Sequence, residues 1–416
     1  MRRARIFFAL LAFTLPACSP QPAAPPPTPP APEAPPATPE APVELVESFP
    51  LETNLDHRDV PDAADVWPAM FRLARERIDI AHFYISNDPR GRLEPSLVAI
   101  EEAADRGVAV RLLVDRKFYE RYPEMADRLA ARRGVLVRKI DMSPGVQHAK
   151  YFLVDGREAF VGSQNMDWRA LDHIQEMGVR ARIPEIARAL GRVFDVDWDV
   201  AGGAAAQAAL GREEPPIPLP AKASLGGAPI TILPVASPKE LLPRGMAWEL
   251  PEMIGRIDGA RRSVDVQVLG YKTTTRGGGE FHDLDDALRR AASRGVRVRL
   301  LVSDWSKRSA SLDALRSLAR VGGIDVRFIV IPQSAAGFIP FARTAHAKYM
   351  VVDGAAVWIG SSNWEGDYFT TSRNVGLVID GPAFARRLQG IFEDGFAGPY
   401  AERLDPAAAY EAPRIE

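Results

Sequence analysis

Apolar residues fall into two recurrent patterns along this chain. Short runs such as Ile78-Asp79-Ile80-Ala81, Arg111-Leu112-Leu113-Val114, Val264-Asp265-Val266-Gln267 and Arg299-Leu300-Leu301-Val302 are rich in Val, Ile and Leu. They predict strands over 78–85, 108–114, 263–269 and 296–302. Between them, apolar residues return every three or four positions over 64–75, 95–106, 250–260 and 283–294. That spacing predicts amphipathic helices. Helix alternating with apolar strand predicts an α/β chain: mixed β-sheets flanked by helices.

The pattern occurs twice. Ala103-Ala104-Asp105-Arg106-Gly107-Val108 recurs as Ala291-Ala292-Ser293-Arg294-Gly295-Val296, 188 residues on. His148-Ala149-Lys150-Tyr151 recurs as His346-Ala347-Lys348-Tyr349, 198 residues on. The ten extra residues fit a longer loop at 332–343. A period this long marks a duplicated domain rather than a solenoid. The boundaries read as a first domain over 45–201, a Gly-, Ala- and Pro-rich connection over 202–229, a second domain over 230–405 and a tail over 406–416. A pseudo-two-fold axis then relates the halves, with one site between them.

The N-terminus is of another kind. Met1-Arg2-Arg3-Ala4-Arg5 precedes a short apolar stretch, which reads as a signal peptide over 1–17. Cys18, the one cysteine in the chain, follows Leu15-Pro16-Ala17, which resembles a bacterial lipobox. Lipidation of Cys18 implies an exported, membrane-anchored lipoprotein of the cell envelope, and Ser19 favours the outer membrane. Over 18–44 prolines recur every two or three residues, which reads as a polyproline II tether reaching on the order of 80 Å at ~3.1 Å per residue. One cysteine also excludes a disulfide framework and a thiolate metal cluster. The net charge of −2 argues against strong nonspecific binding of nucleic acid.

The duplicated segments carry the chemistry. His148-x-Lys150-x4-Asp155 leads to Gly162-Ser163-x-Asn165, and His346-x-Lys348-x4-Asp353 leads to Gly360-Ser361-x-Asn363. On a strand, His148 and Lys150 share a face, as do His346 and Lys348. Asp155 and Asp353 have the opposite parity and precede Gly156 and Gly354, which suits an orienting carboxylate at a hairpin turn. Lys and Asn are donors suited to the non-bridging oxygens of a phosphate. A neutral imidazole can attack phosphorus, and a protonated one can protonate a leaving alkoxide. One histidine from each half supplies both roles, without metal or cofactor and without a second subunit.

These motifs are the signature of the phospholipase D superfamily, which this chain resembles over roughly 44–400. The words around Asn165 and Asn363, Pro340-Phe341-Ala342-Arg343, and Val46-Glu47-Ser48 resemble the branch that contains mammalian phospholipases D three and four and a poxvirus envelope phospholipase. The resemblance implies a metal-independent phosphodiesterase with a phosphohistidine intermediate. His148 would be the nucleophile and His346 the general acid, then base. Family members carry a downstream carboxylate that hydrogen-bonds the histidine. Glu176, 28 residues after His148, fits, and the equivalent second-half position is Asn374. A carboxylate on His148 would raise its basicity as a nucleophile, although it could equally stabilise a protonated acid.

Other residues rank lower. His173 reads as structural or rim, His82 as bordering the cleft, and His57 and His282 as surface. Trp168, Trp364, Tyr368 and Phe369 could stack a base, line a lipid cleft or fill a core. The loop 337–341 is apolar enough to touch a membrane or to fold inward. Arg132, Arg133, Arg138 and Lys139 cluster ahead of the first motif. Two substrates compete: single-stranded nucleic acid, the favoured one, and phospholipid. A non-enzymatic envelope scaffold is the third class, and the intact duplicate site speaks against it.

Overall fold

Each half of the chain builds one mixed sheet, and the strand order is the same in both. In the first half β1 (Val43–Ser48), β2 (Arg77–His82), β3 (Ala109–Asp115), β4 (Val135–Ile140), β5 (Tyr151–Val154), β6 (Glu158–Gly162) and β7 (Ile174–Ala181) lie in the order β1-β7-β6-β5-β2-β3-β4. The second half contributes β8 (Ala221–Leu225), β9 (Ala228–Ser237), β10 (Ser263–Val268), β11 (Arg297–Ser303), β12 (Ile324–Ile329), β13 (Thr344–Ala345), β14 (Tyr349–Val352), β15 (Ala356–Gly360), β16 (Asn374–Asp380) and β17 (Ala401–Arg403). Its order is β8-β9-β16-β15-β14-β10-β11-β12-β17, which repeats the first sheet and adds a strand at each edge. β13 leaves its own half and pairs with β7 of the other. This computed structural model describes residues 40–416, so the leader, Cys18 and the tether up to residue 39 lie outside the described residues.

The helices sit close to where the apolar periodicity places them: α1 (Ala63–Leu73), α2 (Glu94–Asp105), α3 (Pro184–Ala201), α4 (Glu249–Gly259), α5 (Asp283–Ser293) and α6 (Pro382–Ala397). Successive strand residues feed different cores. Phe152, Val154 and Phe160 join a first-half cluster, while Tyr151, Leu153 and Val161 face the other way. The latter meet Tyr349, Val351 and Ile359 of the second half, together with Leu190 of α3 and Leu388 of α6. Strands buried on both faces explain the near-continuous apolar runs. This shared core makes residues Ala41–Glu416 one compact unit. Within the segment 202–229 the chain forms a short helix, Ala206–Leu210, and β8, which pairs with β9.

The repeated words acquire reasons. Asp79 stands opposite Arg111 across β2 and β3, and Asp265 stands opposite Arg299 across β10 and β11. The guanidinium Nε lies 2.6 Å from the carboxylate in the first pair and 2.7 Å in the second. Asp155 and Asp353 adopt φ of 53° and 55°, followed by Gly156 and Gly354 at 62° and 61°. These are tight hairpin turns of the kind that favours Asp-Gly. The Asp155 carboxylate accepts from the backbone N–H of Arg75, Glu76 and Arg77 at 2.8–2.9 Å. Asp353 does the same for Arg261, Arg262 and Ser263. Both aspartates therefore tie the hairpin to the turn before β2 or β10.

Candidate active site

Gly162 faces Gly178 across β6 and β7, and Gly360 faces Gly376 across β15 and β16. A Cβ on Gly360 would lie 2.7 Å from the Val375 oxygen and 2.8 Å from Gly376 Cα. The glycine of each Gly-Ser-x-Asn segment thus serves close strand approach. Ser163 Oγ lies 3.0 Å from the Met177 nitrogen, and Ser361 Oγ lies 3.2 Å from the Val375 nitrogen. These bonds hold the chain as it leaves the sheet and carries Asn165 and Asn363 inward. The amide Oδ1 atoms of both asparagines are buried and have no hydrogen-bond partner. Those two oxygens are uncommitted within the protein, while the Asn363 side chain also bonds Tyr368.

The histidines and lysines stand in extended segments just ahead of β5 and β14 rather than inside those strands. The backbone N–H of His148 donates to the Arg373 carbonyl at 2.9 Å, and that of His346 donates to the Gln175 carbonyl at 2.8 Å. Each motif is therefore stitched to the opposite half. Lys150 Nζ donates to the His148 carbonyl and Lys348 Nζ to the His346 carbonyl, each at 2.5 Å.

This stitching corrects one expectation. Glu176 does not touch His148. Its carboxylate lies 2.8 Å from His346 Nδ1, while His148 Nδ1 lies 3.1 Å from Asn374 Oδ1. Gln175 and Arg373 bond the motif of the other half, so the residue after each of them meets the other half's imidazole. The Asn374 amide is oriented by its neighbours: Nδ2 donates to the Tyr368 carbonyl at 2.7 Å, and Oδ1 accepts from Ser361 Oγ at 2.9 Å. Asn374 Oδ1 is then an acceptor for His148 Nδ1–H, which leaves Nε2 as the basic nitrogen.

The two imidazoles and the two lysines share one buried site. Burial first, then the Lys150 and Lys348 ammonium groups, hold the His148 imidazole well below its ordinary value. Burial and the same two lysines do likewise for His346. Burial pulls Lys348 down to about 7 and pushes the Glu176 carboxyl up to about 8. An anion bound between the lysines restores their charged forms.

Around this centre sit Tyr368, one of the aromatics noted after Asn363, and two groups the sequence does not disclose, Phe83 and Arg373. The Phe83 ring meets the His148 ring edge-on at 5.1 Å, and Tyr368 meets it at 4.8 Å. Arg373 is fully buried, makes a bidentate pair with Asp197 of α3 and donates to the carbonyls of Ser237 and Leu241. The available signal is that Gln175 and Arg373 occupy matching places in the two repeats.

Other candidates resolve differently. His82 is buried beneath the site against Trp67, with burial pulling it to about 3, so it does not border the cleft. His57 is no free surface residue: Nδ1 lies 2.8 Å from the Glu47 carboxylate. His282 is exposed, and His173 packs edge-on against Trp168. Trp364 and Phe369 are core residues. Arg132 pairs with Glu101 and Asp105, and Arg138 and Lys139 lie over Trp198 and Tyr119, so that basic cluster is largely engaged. The loop 337–341 stays at the surface, held by the C-terminal tail, with the Arg414 guanidinium 4.0 Å over Phe338 and the Phe341 N–H bonded to the Ile415 carbonyl.

Two His-Lys-Asn sets, one from each of two like-ordered sheets and joined at a single site, define the phospholipase D class. The family model described as "Cardiolipin synthase, PLD-like domain" matches residues 69–198 and 253–395. The chain belongs to this superfamily and is a phospholipase D-like phosphodiesterase. It is 32% identical over 406 residues to the 5′-3′ exonuclease PLD3 of Homo sapiens, spanning 88% of this chain and 81% of that protein. It is 29% identical over 390 residues to phospholipase D Z of Dictyostelium discoideum, spanning 86% of this chain and 90% of that protein. The solved phosphatidylserine synthase of Haemophilus influenzae Rd KW20 shares the fold, with a TM-score of 0.58 at 14% identity over 84% of this chain and 87% of that one.

Proposed function

We propose that this enzyme cleaves single-stranded nucleic acid through a phosphohistidine intermediate, with His148 as nucleophile and His346 as general acid and base. The observation that carries the roles is the unequal pairing of the two rings. A neutral amide on His148 Nδ1 keeps that ring neutral, with the Nε2 lone pair free to attack phosphorus. A carboxylate on His346 Nδ1 stabilises the imidazolium that donates and later regains a proton. In the first step Nε2 of His148 bonds to phosphorus, the bond to the leaving oxygen breaks, and that oxygen takes the proton from His346 Nε2. In the second, His346 Nε2 removes a proton from water, the water oxygen bonds to phosphorus, and the N–P bond breaks. Lys150, Lys348, Asn165 and Asn363 offset charge on the non-bridging oxygens.

The likeness to PLD3, over most of both chains, supports nucleic acid as substrate. The Dictyostelium phospholipase D supports phospholipid as the second reading. The test offers 5′-hydroxyl single-stranded DNA and, separately, phosphatidylglycerol vesicles, with EDTA present and with His148→Ala and His346→Ala controls. Stepwise shortening of DNA by the wild type alone is expected. Intact DNA with released headgroup would replace nucleic acid by lipid. Lipidated Cys18 and the proline-rich stretch would hold this activity at the envelope membrane, and loss of palmitate labelling in Cys18→Ser checks that placement.

A further inference from the structure

Four aromatic rings run away from His148 on the first-half side only. Phe83, already edge-on to His148, lies 3.8 Å from Phe118 between ring centroids. Tyr84 stacks on Phe118 at 5.9 Å and on Tyr122 at 5.0 Å. The Tyr84 hydroxyl is pinned to the Asp167 carboxylate at 2.8 Å. Asp115 accepts from the Phe118 N–H at 3.1 Å and from the Gln147 N–H at 2.8 Å, coupling the ring row to the segment that carries His148. All four residues are only partly buried and stand apart from the three apolar clusters of the interior. The row ends at the exposed Arg121, whose guanidinium lies 5.5 Å from the Tyr122 ring and 5.7 Å from the Phe341 ring.

Among the described residues, the second half has no ring at the four matching positions. At the repeat offsets, Phe83 and Tyr84 correspond to Leu269 and Gly270, and Phe118 and Tyr122 correspond to Ser306 and Ala310. Two near-symmetric half-sites handle the phosphate, and one asymmetric aromatic row adjoins only one of them. A substrate with a flat π-face on one side of its phosphate matches that asymmetry. Aromatic faces stack nucleobases with little regard to sequence, and an adjacent arginine suits the next backbone phosphate.

We propose that Phe83, Phe118, Tyr84 and Tyr122 form a nucleobase-stacking subsite that seats the nucleotide on the His148 side of the scissile phosphate, with Arg121 on the neighbouring phosphate. This rests on the nuclease reading. The experiment compares oligothymidylate with an abasic oligomer of equal length on the wild type, Phe118→Leu, Tyr122→Leu and the double variant. Leucine keeps the apolar volume and removes the π-face. Each single variant should lower kcat/KM on oligothymidylate about tenfold, chiefly through KM. It should change the value for the abasic oligomer less than twofold. Equal losses on both oligomers, or none on either, would overturn the subsite while leaving the nuclease reading intact. A wild type that cleaves neither oligomer would overturn the nuclease reading, and the subsite with it.

Discussion

Arg373→Met should be among the most damaging single changes in this protein, although the side chain touches no substrate. The pair it makes with Asp197 is buried from both sides, with side-chain exposures of 0% and 1%. Its two carboxylate bonds are 2.8 and 2.7 Å, and two further bonds reach the Ser237 and Leu241 carbonyls at 2.8 and 2.9 Å. Removing one member of such a pair costs about 3–5 kcal/mol, because the other charge stays buried alone. Each stranded carbonyl adds about 1 kcal/mol, partly offset by methionine packing. A loss of about 4–6 kcal/mol follows, read as a shift in urea midpoint by tryptophan fluorescence.

Burial already raises the Asp197 pKa, so the stranded carboxyl retains a proton in the folded state that it would release on unfolding. A raised carboxyl pKa means stability falls as pH rises through the window between the unfolded and folded values. The penalty should therefore be smaller at pH 5 than at pH 8. Adding Asp197→Leu removes the lone charge and should recover at least half of the loss. Arg90→Ala is the control, since that arginine is 89% exposed, and losing its solvent-screened pair with Asp88 should leave the urea midpoint unchanged. A loss below about 1 kcal/mol for Arg373→Met, or no recovery in the double variant, would refute the reasoning.

Two other outcomes are expected. With an activated p-nitrophenyl phosphodiester, His346→Ala should accumulate an acid-labile phosphoenzyme detectable by mass, and His148→Ala should form none; label on the protein in His148→Ala would reverse the two roles. Affinity for a dialkyl phosphate, a monoanion throughout, should weaken about tenfold between pH 6 and pH 8.5. Lys348, at about 7, loses its charge over that range while Glu176, at about 8, gains one. Calorimetric titration checks this, and Lys348→Met should flatten the profile.

The legible features were those set by local pattern. The apolar runs placed strands and helices within a few residues, and the repeat placed both His-Lys-Asn sets. Asp155 was legible as an orienting group because parity and a following glycine are local facts. The partner of Glu176 was not. Counting 28 residues from His148 put them together, but β7 runs along the opposite half's motif, and Glu176 meets His346. Of the aromatics nearest the Asn positions, Tyr368 does reach His148, yet Trp364 and Phe369 fill the core, and the partly buried ring row lies at Phe83, Tyr84, Phe118 and Tyr122.

By itself the sequence determined the duplication, the mixed α/β sheets and the two His-Lys-Asn sets that form the candidate site, because periodicity and spacing act over one or two elements. Only the tertiary structure decided which carboxylate or amide sits on which imidazole, which buried pair locks the two halves, and which side of the site carries the aromatic row. Those depend on how two sheets sharing one core are set against each other. That relation is fixed by packing between residues some 200 positions apart, which no local pattern encodes.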